Sequence, residues 1–407
     1  MLRTRSAQAR AIEFFQGTLA TRSEFESVRI FDTTLRDGEQ TPRTSFSEAD
    51  KREIATILDE MGTHVIEAGF PANSDAEFEA IRDIARSTET TVAGLARVVE
   101  SDVQAAIESE VDMIHVFAST SDVQIEDSMH SNREEVKERS VAAVEQAKAG
   151  GAEVMFSPMD ATRTDRDYLA GVLEAVDEAD VDWVNIPDTT GVASPSRFAD
   201  LIGFVGQHTD ARIDVHTHDD FGMATANAIA GIEAGADQAQ VSINGIGERA
   251  GNAAYEEVVM AAESIYNADT GIDTTRITEI AAIIEEKSGI PIPPNKPVVG
   301  ENAFSHESGI HAAGVIENAD TFEPGIMTPE MVGAQRAIVL GKHTGSHAVR
   351  EHLEDAGYAP TDEEVEEITA RVKSRATEKH TITVEDLHRF AAAVGVDRAG
   401  SSAEVRA

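Results

Sequence analysis

The sequence predicts a (β/α)₈ barrel that is followed by a mostly helical C-terminal appendage. From Val28 onward, short β-branched or apolar runs alternate eight times with longer amphipathic stretches of helical period. Strict alternation of strand and helix is compatible with a doubly wound open sheet as well as with a closed barrel. Eight repeats within about 240 residues favour the barrel.

Each strand-like run is followed by a segment that opens with Ser, Asp or Pro and whose apolar positions recur at three and four. The runs read VRIFDTT, HVIEAGF, TVAGLAR, MIHVFAS, EVMFSPM, WVNIPD, RIDVHTH and QAQVSIN. Polar residues gather at or just after the C-terminal ends of these runs, which is where barrel enzymes build their sites. They are Arg36, Asp37, Arg97, Asp160, Asp188, Thr189, His216, His218 and Asn244.

The flanking segments predict the domain organisation. Residues 1–27 form an N-terminal arm, residues 28–270 the barrel, residues 271–300 a helix and a Pro-rich linker, and residues 301–407 a helical subdomain without a regulatory domain. The linker contains PIPPNKP, which cannot continue a helix. Helices are expected near residues 275–287, 362–377 and 384–394.

Composition excludes several classes of function. The 407 residues include 74 Asp or Glu and 34 Lys or Arg, which gives a formal net charge of −40. Such a charge repels phosphate backbones and anionic headgroups, so we expect no nucleic-acid partner and no membrane partner. The N-terminus has no uninterrupted apolar stretch, and we expect a cytoplasmic protein. Cysteine is absent, so any metal must be bound by Asp, Glu, His or Asn.

The HTHDD segment suggests a metal site. His216 and His218 are two apart on a strand and therefore face the same side, as two imidazoles on one divalent cation would. Asp37, at the end of the first strand, could supply a third ligand in a closed barrel. Two His, one carboxylate and open positions are typical of a catalytic metal. A polar core pair would also explain the histidines.

Three further segments could contribute to chemistry. In DTTLRDGEQ, Arg36 beside Asp37 could bind and polarise a 2-oxo acid, or could form a surface ion pair at a turn. NGIGERAGN offers Glu248 and Asn252 to the barrel mouth, or is only a tight turn. FSHESGIHAAG contains a potential acid/base pair around His311, or is a loop with solvated histidines.

Taken together, these segments resemble the 2-isopropylmalate, homocitrate and citramalate synthases, the acyl-transferring branch of the DRE-type metal-dependent barrels. The likeness spans Val28 to Leu353, and its two signature segments are DTTLRDGEQTP and VSINGIGERAGNAAYEEVVMA. The resemblance implies a Claisen-type condensation of acetyl-CoA with a 2-oxo acid. It also implies a divalent metal (Mg²⁺, Mn²⁺ or Zn²⁺) and a homodimer with shared active sites.

The resemblance also assigns roles to individual residues. Asp37, His216 and His218 would be the metal ligands, with Asn252 close to the metal. Arg36 would hold the 2-oxo acid, and Thr189 would hydrogen-bond its carboxylate, with Arg97 and Asp160 as further candidate substrate-binding residues. His311 would reach into the neighbouring subunit's site and help to enolise acetyl-CoA, with Glu248 as its partner.

Some positions depart from the family pattern. Met159 stands where relatives usually carry Glu, so the general base would be Asp160 or His311 instead. Phe322 stands where many relatives have Tyr.

Asp37 and Met155 favour an uncharged substrate, 2-oxoisovalerate or pyruvate, over 2-oxoglutarate. We therefore expect a short 2-isopropylmalate synthase, with citramalate synthase or homocitrate synthase as alternatives. A lyase of the same barrel class and a non-catalytic barrel are remote alternatives. Feedback inhibition is not expected.

The charge leads to a prediction about salt. Only 8 of the 34 basic residues are Lys, and a charge of −40 is typical of proteins from a salt-rich cytoplasm. Because the Debye length falls from about 10 Å at 0.1 M salt to about 3 Å at 1 M, we expect the free energy of unfolding to rise with KCl over this range. Chemical denaturation at several KCl concentrations measures this. Stability and activity that are undiminished in dilute buffer would contradict the prediction.

Overall fold

The computed structural model describes residues 25–307, 326–378 and 382–398. These residues fall into two compact units that meet at Ile292 and Pro293 in the chain. The boundary lies inside the segment 271–300, which the sequence analysis assigns to a helix and a linker.

The first unit is a closed barrel of eight parallel strands in sequential order, which confirms the predicted fold class. Closure is made by the pairing of the first and last strands, where Arg29 lies opposite Gln238 and Asp32 opposite Val241. The strands are β1 (Arg29–Asp32), β2 (Val65–Gly69), β3 (Thr91–Arg97), β4 (Met113–Ser119), β5 (Glu153–Met159), β6 (Trp183–Asp188), β7 (Arg212–Thr217) and β8 (Gln238–Val241).

Helices follow the strands and pack their apolar faces around them. Local sequence fixes their starts: Ser47 and Asp50 form a capping box, and Pro195 occupies the first turn of its helix. The helices are α1 (Glu48–Glu60), α2 (Asp75–Ser87), α3 (Glu100–Glu108), α4 (Asp122–Asp127), α5 (Arg133–Ala149), α6 (Arg166–Glu178), α7 (Pro195–Val205), α8 (Ala224–Glu233), α9 (Tyr255–Ser264) and α10 (Ile277–Ser288).

Helix α10, which was predicted to precede the Pro-rich linker, is part of the barrel unit. Its apolar face is buried, and the carbonyl oxygen of Ala281 accepts a hydrogen bond from Asn244 Nδ2 at 2.9 Å. Lys287 Nζ donates to Asp50 Oδ1 at 2.7 Å, which joins the end of α10 to the start of α1. The helix therefore packs against the barrel.

The interior of the barrel is filled by apolar side chains at the N-terminal side of the strands. The buried cluster consists of Phe31, Val65, Ala93, Met113, Met155 and Trp183. The guanidinium of Arg212 lies 4.0 Å from the centre of the Trp183 ring, and that of Arg29 lies 5.7 Å from it. This packed end leaves the C-terminal ends of the strands as the place for a cavity.

The second unit is mostly helical, as predicted. It contains α11 (Ser346–Asp355), α12 (Asp362–Ala376) and α13 (Val384–Val394) together with a two-stranded parallel sheet of β9 (Ser305–His306) and β10 (Ala337–Ile338). The three helices share a core that includes Leu353, Ile368 and Leu387. Helix α11 was not predicted. Within the described ranges of both units, no helix has the length and apolarity that crossing a bilayer requires.

A buried lysine provides a test of the barrel's stability. Lys51 on α1 is 2% exposed, and its Nζ lies 2.7 Å from Glu39 Oε2 and 2.8 Å from Glu77 Oε1. Lys51→Met would leave two partly buried carboxylates facing each other without the cation. We expect a loss of about 2–4 kcal/mol in the free energy of unfolding, measured by chemical denaturation at fixed KCl.

The control is Arg52→Met, on the same helix, because Arg52 and its partner Asp83 are each 54% exposed. Its cost should stay below about 1 kcal/mol. Equal costs for the two variants would show that the burial of Lys51 contributes nothing.

Candidate active site

Three buried side chains meet at the C-terminal mouth of the barrel. Asp37 follows β1, and His216 and His218 lie at the end of β7. One potential ligand atom from each residue lies within 4.8 Å of those of the other two. Because β1 pairs with β8 and β8 pairs with β7, barrel closure brings residues 37 and 216 together although they are far apart in the chain.

The protonation states of Asp37 and His216 suit a cation. Burial would raise the pKa of Asp37, but Arg36 and the two histidines outweigh it and hold that pKa below its usual range. Burial, with the neighbouring His218, lowers the pKa of His216 to about 3. The carboxylate is therefore ionised and His216 neutral at physiological pH, which are the forms that bind metal.

The ligand atoms at the site, including one buried oxygen without a hydrogen-bond partner, indicate that a cation fits there. The Nε2 atoms of His216 and His218 lie 3.0 Å apart, and His216 Nδ1 lies 3.0 Å from Gln240 Oε1. Because an amide oxygen only accepts, His216 carries its hydrogen on Nδ1 and turns the Nε2 lone pair toward His218. Within the described part of the chain, Asn252 Oδ1 is buried without a hydrogen-bond partner. These donors are the ones that a divalent cation requires.

The amide of Asn252 supports Asp37. Its Nδ2 donates to Asp37 Oδ2 at 2.7 Å and to the Ile246 carbonyl oxygen at 3.1 Å. Gly247 makes this approach possible, since a Cβ built there would lie 2.4 Å from Asn252 Nδ2. The glycine-rich segment after β8 thus brings its backbone close to the site.

Arg36 lies between two carboxylates. Its Nη1 donates to Asp37 Oδ1 at 2.8 Å and its Nε to Glu67 Oε2 at 2.7 Å. Burial would raise the pKa of Glu67, but the charges of Arg36 and His115 outweigh it and lower that pKa below its ordinary value. Glu67, in the middle of β2, was not singled out from the sequence. The signal available was a Glu inside the otherwise apolar run HVIEAGF.

A cavity of about 260 Å³ opens at this end of the barrel. Its lining includes the polar residues Arg36, Asp37, His216 and His218 as well as apolar side chains. Among the described residues, the lining consists of Arg36, Asp37, Gln40, Leu95, His115, Phe117, Ser157, Met159, Asn185, Pro187, Thr189, His216, His218, Gln240, Glu248 and Arg249.

A continuous chain of buried hydrogen bonds links several strands of the barrel, and its members His115, Ser157, Asn185 and Gln240 also line the cavity. The sequence analysis missed all of it. It runs from Glu67 through His115 (2.7 Å) and Ser157 (2.6 Å) to Asn185 (2.8 Å). Asn185 and Gln240 both donate to Asp214 Oδ2, at 2.6 and 2.7 Å. Since Gln240 also accepts from His216, the chain links the partner of Arg36 to a candidate metal ligand.

Some predicted site residues lie in the cavity and others do not. Thr189 and Glu248 line it. Arg97 does not, because its side chain turns back to Asp102 on α3, where Nε donates to Oδ2 at 2.6 Å. The Asp160 carboxylate does not either, because it is fully buried against Arg163 and Ser121. His311 and Phe322 lie outside the described residues.

The family follows from comparison with known proteins. A profile described as HMGL-like matches residues 27–284, which is more than half of the chain. The chain belongs to the HMGL-like family. In this HMGL-like chain a second profile, described as homocitrate synthase post-HMGL domain-like, matches residues 298–380.

Several curated proteins are similar to this HMGL-like chain over most of its length. A protein of Methanosarcina mazei named "Probable 2-isopropylmalate synthase" is 51% identical over 93% of the chain and 74% of its own length. A 2-isopropylmalate synthase of Sulfolobus acidocaldarius is 45% identical over 90% of the chain and 95% of its own length. A homocitrate synthase of Methanopyrus kandleri is 46% identical, over 88% and 90%.

Among solved structures, the hydroxymethylglutaryl-CoA lyase of Pseudomonas aeruginosa superposes on this HMGL-like chain with a TM-score of 0.60. The two sequences are 25% identical, and the match covers 66% of this chain and 96% of the lyase.

Removal of one imidazole tests the metal site. We expect His216→Ala and His218→Ala each to weaken Mn²⁺ binding by at least about 100-fold, because loss of even an outer partner of a ligand costs about 10–100-fold. Isothermal titration in KCl measures the affinity without any turnover.

The control is His208→Ala, since His208 lies at the surface with Glu174 as its partner. It should bind Mn²⁺ as the parent protein does. Parental affinity in both His216→Ala and His218→Ala would exclude the site.

Proposed function

We propose that the protein catalyses the condensation of acetyl-CoA with a 2-oxo acid. The specific substrate is 2-oxoisovalerate and the product is 2-isopropylmalate, as in leucine biosynthesis. One observation carries the proposal: Arg36 and the Asp37, His216 and His218 cluster share one cavity. A 2-oxo acid presents a carboxylate and a carbonyl to such a site. The similarity to 2-isopropylmalate synthases over about nine-tenths of the chain supports the same reaction.

Asp37, His216 and His218 would hold a divalent cation, Mg²⁺, Mn²⁺ or Zn²⁺, with Asn252 beside it. When bound, the cation supplies a Lewis acid for the oxo group. Arg36 contributes hydrogen bonds and charge to the same oxygen. Two of its five N–H groups are used by Asp37 and Glu67, so within the described residues three remain for the substrate.

The reaction requires a carbon nucleophile. A base removes a proton from the methyl group of acetyl-CoA, and the methyl carbon then bonds to the carbonyl carbon of the 2-oxo acid, whose oxygen gains a proton. Water then cleaves the thioester and releases CoA and the 2-alkylmalate. We assign the proton transfer to His311 with Glu248, as the family resemblance implies. Met159 cannot accept a proton, and the Asp160 carboxylate lies outside the cavity.

The cavity favours a substrate with an uncharged side chain. Leu95, Phe117, Met159 and Pro187 are apolar residues of its lining. Arg249, the second arginine of the lining, is engaged by Asp220 at 2.8 Å and by the Thr189 carbonyl oxygen at 2.8 Å. Met155 is buried in the barrel core and does not contact the cavity, so it plays no direct part in this preference.

We further propose that the protein acts in the cytoplasm as a homodimer in which His311 serves the partner's site. The family resemblance supports this arrangement.

Release of CoA tests the reaction. The protein has no cysteine, so a thiol reagent reports released CoA without background from the enzyme. In KCl with Mn²⁺ and acetyl-CoA, we expect kcat/KM for 2-oxoisovalerate to exceed that for pyruvate and 2-oxoglutarate by at least about tenfold. CoA release with none of the three would overturn the proposal. Preference for pyruvate or 2-oxoglutarate would instead indicate a citramalate or homocitrate synthase.

Two variants separate binding from proton transfer within this assay. His311→Ala should abolish turnover and spare binding of the 2-oxo acid, whereas Arg36→Gln should weaken both. Arg52→Gln, on the barrel surface, is the control.

A further inference from the structure

Asp160 has a left-handed backbone conformation, which is uncommon among residues other than glycine. It follows β5 with φ 68° and ψ 35°, in the left-handed region that few residues other than glycine, Asn and Asp adopt. Its side chain is fully buried. A left-handed conformation persists when neighbouring groups stabilise it. The contacts of Asp160 therefore indicate the structural role of this conformation.

The Asp160 carboxylate is clamped from two sides. Arg163 donates to it through Nε at 2.8 Å and Nη2 at 2.7 Å, and Ser121 donates its hydroxyl to Oδ2. The Thr164 hydroxyl donates to the Asp160 carbonyl oxygen at 2.9 Å. These bonds hold both the side chain and the carbonyl group of Asp160 in the observed turn.

The clamped turn aims the backbone N–H of Asp160 at Thr189. This N–H donates to Thr189 Oγ1 at 2.8 Å, across from the end of β5 to the end of β6. The Thr189 carbonyl oxygen accepts from Arg249 Nη2 at 2.8 Å. Thr189 is thus held at both its main chain and its side chain.

This contact decides which way the Thr189 hydroxyl can act. A hydroxyl has one hydrogen and two lone pairs, and the Asp160 N–H occupies one lone pair. In the part of the chain that the structure describes, the hydroxyl hydrogen has no acceptor, and Thr189 lines the cavity. The hydroxyl is therefore left as a donor toward the cavity, where a substrate carboxylate would accept.

We propose that Asp160 is a positioning residue whose left-handed backbone orients the Thr189 hydroxyl as a donor to the carboxylate of the 2-oxo acid. The Asp160 carboxylate anchors the turn and takes no part in proton transfer, because its oxygens face Arg163 and Ser121. This inference rests on the proposed function and adds a specific requirement to it: at position 160, backbone conformation matters more than carboxylate chemistry.

The decisive comparison is Asp160→Gly with Asp160→Ala. Both remove the carboxylate, and they differ by one methyl group that disfavours the left-handed conformation. We expect Asp160→Ala to raise KM for the 2-oxo acid by about tenfold, the cost of one misplaced hydrogen bond, with a smaller change in kcat. Asp160→Gly should lie closer to the parent. Asp160→Asn, which tolerates the left-handed region and can still accept from Ser121, should lie closest.

A catalytic carboxylate would give a different result. If Asp160 were the general base, all three variants would lose kcat alike, by about 10²–10⁴-fold, and that result would overturn the inference. Equal effects of Gly and Ala on KM would overturn it too.

Double variants test whether position 160 acts through the Thr189 hydroxyl. The test compares two variants in one background, so it does not depend on the folding of a single variant. In a Thr189→Val background, the hydroxyl is gone, so Asp160→Gly and Asp160→Ala should no longer differ in KM. A persisting difference would show that position 160 acts elsewhere. Absence of CoA release by the parent protein would refute the proposed function itself, whereas an active parent with the wrong ranking refutes only the role of Asp160.

Discussion

Closure of the barrel is the constraint on which the site depends. The ladder between β1 and β8, with the adjoining ladder between β8 and β7, brings Asp37 beside His216 and His218. Each strand of this seam ends at the same mouth because all eight are parallel. The candidate metal ligands Asp37, His216 and His218 therefore come from different segments of the chain but line one cavity together with Arg36.

Much of this arrangement follows from sequence pattern. His216 and His218 are two residues apart on a strand, so their side chains point to the same face. Eight repeats predict a closed barrel, and closure places Asp37 near both histidines. The polar chain from Glu67 to Gln240 could not be anticipated in the same way. Its members are single polar residues inside apolar strands. The hydrogen-bond partners of a residue such as Ser157 or Asn185 can be identified only when the strand register is known.

The sequence analysis was least accurate where a side chain could turn either way. Arg97 and Asp160 both stand at strand ends, which pattern alone assigns to the mouth, yet each is drawn aside by a nearby partner, Asp102 or Arg163. Helix α11 was missed because its segment, SHAVREHLED, follows a Gly- and His-rich stretch that resembles a loop. Local charge pairing and tertiary packing, not periodicity, decide such cases.

The packed end of the barrel has a consequence for how this protein can be observed. Trp183 is the single tryptophan of the chain, and it is fully buried in the barrel interior against the guanidinium of Arg212. Tryptophan emission therefore reports on the barrel unit and does not report on the helices that follow residue 293. Comparison of that emission with far-ultraviolet circular dichroism, to which all helices contribute, would reveal whether the two units unfold together or in separate steps.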